Sequence, residues 1–148
     1  MKRLGQGPIE KDVSLLRVLL GKCGLAQPHG WLPFAVYQAV PYGLTGNTNI
    51  YIATTSRNCT IRSWSQSVKV NTTNNGSNCW VLRLFTLGGA LLISEVNTAA
   101  LTPTAWGVVS DTSIDYALST SHLGVFLQAI QYGSPGPLYT GGPAVFVT

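Results

Sequence analysis

The chain has 148 residues and a formal net charge of +4, a length that suits one domain with an extension and buries a core without disulfides or a metal. Charged residues make up 9% of it, against about 25% in an average soluble domain, with Ser, Thr, Asn and Gly in their place. No stretch approaches the roughly 18 to 20 apolar residues that cross a bilayer, and basic residues interleaved with aromatics, the mark of a nucleic-acid surface, are missing from the body of the chain.

The first 30 residues differ from the rest. Residues 1–22 hold Lys2, Arg3, Lys11, Arg17 and Lys22 against Glu10 and Asp12, a net +3, while the remainder is +1. Gly5, Gly7 and Pro8 break the start. Residues 12–21 suit one short helix, with Asp12 as N-cap and Gly21 as stop. Lys2 and Arg3 before LLRVLL imitate a secretory leader, but Arg17 interrupts the apolar run and Lys22 does not suit a cleavage site. Residues 1–30 therefore read as a basic arm that gains order by docking on a neighbour.

From Gly30 onward the punctuation is that of an all-β chain. Extended stretches are expected at 31–40, 49–54, 59–70, 79–87, 91–96, 105–109, 114–119, 123–132 and 143–148. About eight strands follow residue 45 at spacings near ten residues, which predicts a jelly-roll β-sandwich over residues 31–148. In 49–54, Ile50 and Ile52 are expected on one face. Ile61 and Trp64 have opposite parity, so a bulge is expected near Arg62-Ser63. Residues 58–87 read as one β-hairpin whose tip, NTTNNGSN, takes left-handed conformations at Asn75-Gly76. Residues 133–142 read as a loop.

Two strands break the rule that a sandwich strand buries one face and wets the other. Trp80, Leu82 and Leu84 share one face of 79–87; Val81, Phe85 and Leu87 share the opposite one. In 123–132, Leu123, Val125, Leu127 and Ala129 oppose Phe126, Ile130 and Tyr132. Something must cover the second face, either the N-terminal arm folding back or another subunit, as in a jelly roll packed on itself around a three-fold axis. Val81, Phe85, Leu87, Phe126, Ile130 and Tyr132 are thus expected at an oligomer interface, and a homotrimer is the expected assembly.

Signs of chemistry are sparse. Cys23, Cys59 and Cys79 form no CxxC and no zinc spacing. Cys59 and Cys79 would meet in a disulfide only if the hairpin strands paired in register; buried thiols are the favoured reading. His29 and His122 have no partner at ligand spacing. Serines with Asp111, Asp115 and His122 lack a nucleophile elbow, and Glu95, Asp111 and Asp115 read as solvated loop charges before paired glycosidase carboxylates. Trp31, Trp64, Trp80 and Trp106 suit a core or an interface better than a sugar site. Three Asn-X-Ser/Thr triplets, at Asn58, Asn71 and Asn75, fall to chance in so Asn-rich a chain. No catalytic residue, metal site or cofactor is expected.

The run W-S-Q-S-x-x-V from Trp64, the Asn/Gly tip, W-V-L-R-L-F from Trp80, L-G-V-F-L-Q-A-I-x-x-G-S-P-G from Leu123 and the terminal A-V-F-V-T resemble jelly-roll modules of tailed-bacteriophage virions. Trp64, Trp80, Gly133 and Gly136 carry most of the likeness, which covers residues 31–148. The resemblance implies a capsid cement, or decoration, protein: a non-enzymatic homotrimer on the virion surface, made in the host cytoplasm. Its partner would be the major capsid protein, with no nucleic acid and no membrane. In that role Lys2, Arg3, Lys11 and Arg17 would meet acidic capsid surface, while Leu15, Leu16, Val18, Leu19 and Leu20 would be buried on it. The alternative is a tail-fibre or appendage component that binds host-surface carbohydrate through residues 71–78 and 133–142, Tyr139 included. A glycan hydrolase using Asp111 or Asp115 is a third.

Overall fold

The structure, a computed structural model, describes residues 43–55 and 57–148 together with two short strands at 30–31 and 35–36. The basic arm, its helix and its contact residues, along with Cys23 and His29, lie outside the described residues.

The strands are β1 (Gly30–Trp31), β2 (Ala35–Val36), β3 (Thr48–Thr54), β4 (Cys59–Val70), β5 (Cys79–Thr86), β6 (Leu92–Asn97), β7 (Gly107–Asp111), β8 (Tyr116–Leu118), β9 (Gly124–Tyr132) and β10 (Leu138–Val147). They form two antiparallel sheets. One has the order β1-β10-β4-β7, with β8 also on β4; the other has the order β2-β3-β9-β5-β6. β7 pairs with residues 64–68 of β4 and β8 with residues 59–61, so they occupy one edge of β4 in succession. Setting aside the two-residue edge strand β2 and counting β8 with β7 leaves eight strand positions. Their order is first-eighth-third-sixth in one sheet and second-seventh-fourth-fifth in the other. That is jelly-roll topology: a long ribbon rolled so that paired segments turn the corner from sheet to sheet together.

The core lies between the sheets and follows the period of two. Trp64, Val68 and Val70 from β4 meet Trp80, Leu82 and Leu84 from β5 and Val125, Leu127 and Ala129 from β9, all buried. β10 adds Leu138, Val145 and Val147, and β3 adds Ile50, Tyr51 and Ala53. Leu123, expected on the inner face, precedes β9 and is 58% exposed.

Bulges reset the alternation. On β4 the pairing passes from Ser63↔Phe146 to Ile61↔Val147, leaving Arg62 as the extra residue. The expected bulge is there, and it lets Ile61 and Trp64 both face inward. A second one, unexpected, falls at Ile50: Asn49 pairs with Gln128 and Tyr51 with Leu127. Ile50, Tyr51 and Ala53 consequently face the core, and Ile52 does not share a face with Ile50. On β10 the register jumps between Thr140 and Pro143. Gly141-Gly142 is therefore a bulge within a strand, and the expected loop ends at Pro137.

The largest correction concerns residues 58–87. β4 and β5 do not pair; they belong to different sheets. Residues 71–78 are an arch over the end of the sandwich. Its tip is a tight turn in which Asn75 and Asn78 exchange backbone hydrogen bonds of 2.8 and 3.1 Å. Asn75 Oδ1 accepts from the backbone N–H of Ser77 and Asn78. Neither Asn75 nor Gly76 takes a positive φ, because an arch needs no match to a strand twist and the Asx bonds close the turn. The same correction separates the cysteines. Cys59 begins β4 and Cys79 begins β5, so the length of a 12-residue strand, on the order of 35 Å, intervenes, and both thiols are free.

Candidate interaction surface

The inner faces of β5 and β9 fill the core, so their other residues point outward from the second sheet. Register sets Phe85 against Phe126, Arg83 against Gln128, Val81 against Ile130 and Cys79 against Tyr132. The Phe85 and Phe126 rings stack with centroids 5.1 Å apart and planes 14° from parallel. Toward one edge Phe85 faces Leu92, toward the other Phe126 faces Ile52. A row Leu92–Phe85–Phe126–Ile52 therefore crosses four strands. The next row is polar: Arg83 binds Glu95 at 2.5 Å, and Gln128 donates to Asn49 Oδ1 at 3.0 Å. Beyond it lie Val81 and Ile130. Tyr132 is 60% exposed and Leu92 51%; the others are half-buried against one another. Five of the six residues expected at an oligomer interface thus share one surface, and the half-buried Leu87 lies just past the end of β5.

The groups considered for catalysis do not converge. The Asp111 carboxylate accepts from Ser94 Oγ at 2.5 Å, and Ser94 Oγ in turn accepts from the indole of buried Trp64 at 2.9 Å. The Ser94 hydroxyl, then the Ser113 backbone N–H, hold the Asp111 carboxyl below its usual range, against an opposing push from burial. Asp115 is ion-paired to Arg62 at the β4 bulge. His122 Nδ1 accepts from the Ser119 backbone N–H at 3.1 Å. Each group has a separate structural partner. Among the described residues no group of three or more His, Cys, Asp or Glu is placed to hold a metal.

A pocket of about 360 Å³ is lined by Asn58, Cys59, Thr60, Ala117, Leu118, Ser119 and Thr148. Burial pushes the Cys59 thiol up, opposed by a Thr55 hydrogen bond and the Arg57 charge. The lining offers no acidic, basic or imidazole side chain to activate it.

The two segments read as a sugar site do come together, but they spend polar groups on each other. Gly136 N–H donates to Thr73 O and Asn71 N–H to Pro137 O, both at 3.0 Å. Ser134 N–H donates to Asn78 Oδ1 at 2.8 Å. Tyr139 belongs to β10, with Lys69 Nζ 5.1 Å from its ring centroid. Trp64 and Trp80 are core residues, and Trp106 is 59% exposed. Sequence reading missed a second apolar group, Leu91 at 53% and Leu123 at 58% exposure. The only signal was a leucine beside each of two turns.

No protein-family model and no curated protein matches the chain. Among solved structures, the fold is similar to one described as infectious bursal disease virus, Gt strain, at 10% identity and a TM-score of 0.43, covering 80% of this chain and 32% of that one. A second, the VP2 subviral particle of infectious bursal disease virus, gives 9% identity and a TM-score of 0.42 over 80% of this chain and 32% of that one. The chain spans about a third of the length of both. Likeness at this level carries no inference about what the chain does.

Proposed function

We propose that the chain is a virion structural protein: a capsid cement protein whose trimer and basic arm staple neighbouring major capsid protein subunits. The observation that carries this reading is the outward face of the second sheet, where Val81, Phe85, Phe126, Ile130 and Tyr132 lie side by side on paired central strands. A lone sandwich gains only about 0.2 to 1 kcal/mol from a stacked phenylalanine pair on its wet face, whereas burial against another subunit stabilises by about 1.5 to 3 kcal/mol for each fully buried side chain of this size. The basic residues 2–17 and the leucines 15–20 supply the second contact, on acidic capsid surface. Ordering such a segment costs about 1 to 2 kcal/mol per residue, so it is expected to order only on the particle.

Light scattering on the full chain at micromolar concentration tests the assembly. A trimer is expected, converted to monomer by Phe85→Ser with Phe126→Ser at an unchanged fold; a monomeric parent refutes it. Removing residues 1–25 should abolish capsid binding while the trimer survives, and undiminished binding refutes the arm's role.

A further inference from the structure

Three segments meet at one end of the sandwich: Thr55 with residues 57–58, residues 87–91 and residues 119–123. Thr55 N–H donates to Leu123 O at 3.2 Å, Gly88 N–H to His122 O at 2.6 Å and Leu87 N–H to Gly124 O at 2.8 Å. These bonds bring Leu91 and Leu123, each more than half exposed, onto one tip, with half-buried Leu87 between them. Two residues there take left-handed backbone that favours glycine: Ala90 at φ 48° and Leu123 at φ 61°. Leu123 caps the 3-10 turn Thr120–His122, its N–H donating to Thr120 O at 3.1 Å, and that turn accounts for its backbone. The core, however, gains nothing from leucine side chains that point into water, and their exposure is what folding alone leaves unexplained.

Charge narrows the partner. Residues 55–58, 87–91 and 119–123 contain no carboxylate, one arginine, Arg57, and one histidine, His122. Arg57 is exposed and makes no ion pair among the described residues. Two copies meeting tip to tip would set Arg57 against Arg57 with no counter-charge in the contact. An apolar tip with one exposed arginine and no acid complements an anionic bilayer surface, where leucines enter the acyl boundary and arginine meets phosphate.

We propose that this tip is a peripheral membrane-docking site for anionic phospholipid. Among the described residues no helix is long and apolar enough to cross a membrane, and a surface contact of this kind needs none. The proposal stands independently of the cement role, since it uses neither the outward sheet face nor the arm.

Flotation of the full chain with phosphatidylcholine vesicles, with and without phosphatidylserine, tests it. Attraction through the basic residues 1–22 is screened at about 0.5 M salt, whereas leucine insertion persists. The parent should therefore still float with serine-containing vesicles in high salt. Leu91→Ser with Leu123→Ser should weaken that partition at least about tenfold, and Arg57→Gln should narrow the preference for serine lipid measured at low salt. Leu123→Gly is the control for folding: it relieves the positive φ, so it should lower vesicle binding without lowering the melting temperature. Three results would overturn the proposal: no flotation of the parent in high salt, leucine variants that float like the parent, or leucine variants that dissolve a stable oligomer while vesicles capture nothing.

Discussion

Asn74→Ala tests how the arch between β4 and β5 is held. Asn74 is 9% exposed, and its side chain reaches from the arch to the loop after β6. Its Nδ2 donates to Thr98 O at 2.7 Å and to Leu101 O at 2.8 Å, while its Oδ1 accepts from Thr98 Oγ1 at 2.8 Å. Thr98 Oγ1 also accepts from the Trp80 backbone N–H at 3.0 Å. Truncation removes three neutral hydrogen bonds, each worth about 1 kcal/mol net, for a total of about 3 kcal/mol. Thr98 O keeps a donor in Leu101 N–H, which holds the cost near that sum. For a domain of this size the melting temperature should fall by roughly 6 to 12 °C. Urea unfolding followed by tryptophan fluorescence, at fixed protein concentration, reads the change as a shifted midpoint with an unchanged slope. Thr98→Val removes part of the same network, so the double variant should lose less than the sum of the singles. A cost below about 1 kcal/mol for Asn74→Ala, or full additivity with Thr98→Val, would refute this account of the arch.

Three further outcomes follow from other sites. The Asp111 carboxyl titrates below its usual value of 3.8 in the fold, so its stabilisation is complete above the unfolded value and lost as pH falls through the lower folded one; Asp111→Asn should flatten the acid limb of a melting-temperature profile, and parallel profiles below about pH 4 would count against the Ser94 contact. Burial raises both described thiols, so iodoacetamide should label each more slowly than free cysteine at neutral pH, Cys79 slowest at 4% exposure; rapid labelling of Cys79 in native buffer would contradict its burial. Gly124 has φ +137°, and a Cβ there would lie 2.0 Å from Ala53 O, whereas one at Gly46 meets nothing within 4 Å; soluble yield and melting temperature should collapse for Gly124→Ala and hold for Gly46→Ala.

Much of the sandwich was legible because strands announce themselves by period and punctuation. Seven of the eight strands after residue 45 fall close to the expected ranges, and the last starts five residues earlier than expected. The bulge at Arg62 was readable because Ile61 and Trp64, both apolar, have opposite parity. Ile50 and Ile52 have equal parity, so the bulge at Ile50 left no trace in the pattern. Alternation says which face of a strand is buried and is silent on which sheet the strand joins. That choice is set by partners far along the chain, such as β10 for β4 and β9 for β5, and so the arch was read as a hairpin. Gly141-Gly142 read as loop because glycine weakens a strand locally, while pairing on either side restores it. The apolar outward face was visible as two-sided hydrophobicity; the leucine tip was not, because two turns bring Leu91 and Leu123 together.

The two apolar surfaces adjoin. Leu92 ends the row that runs through Phe85 and Phe126, and Leu91 is its neighbour in sequence at the tip. A subunit seated on the face would leave the tip at the rim of the contact, so one surface does not preclude use of the other. Single substitutions separate them. Phe126 lies within the aromatic row, across from Phe85 and from Ile52, and Phe126→Ser should weaken association while leaving high-salt vesicle binding per chain unchanged. Leu123→Gly should do the reverse. If either variant lowers both readouts together, face and tip act as one contact, and an extended subunit interface that wraps the end of the sandwich replaces both assignments.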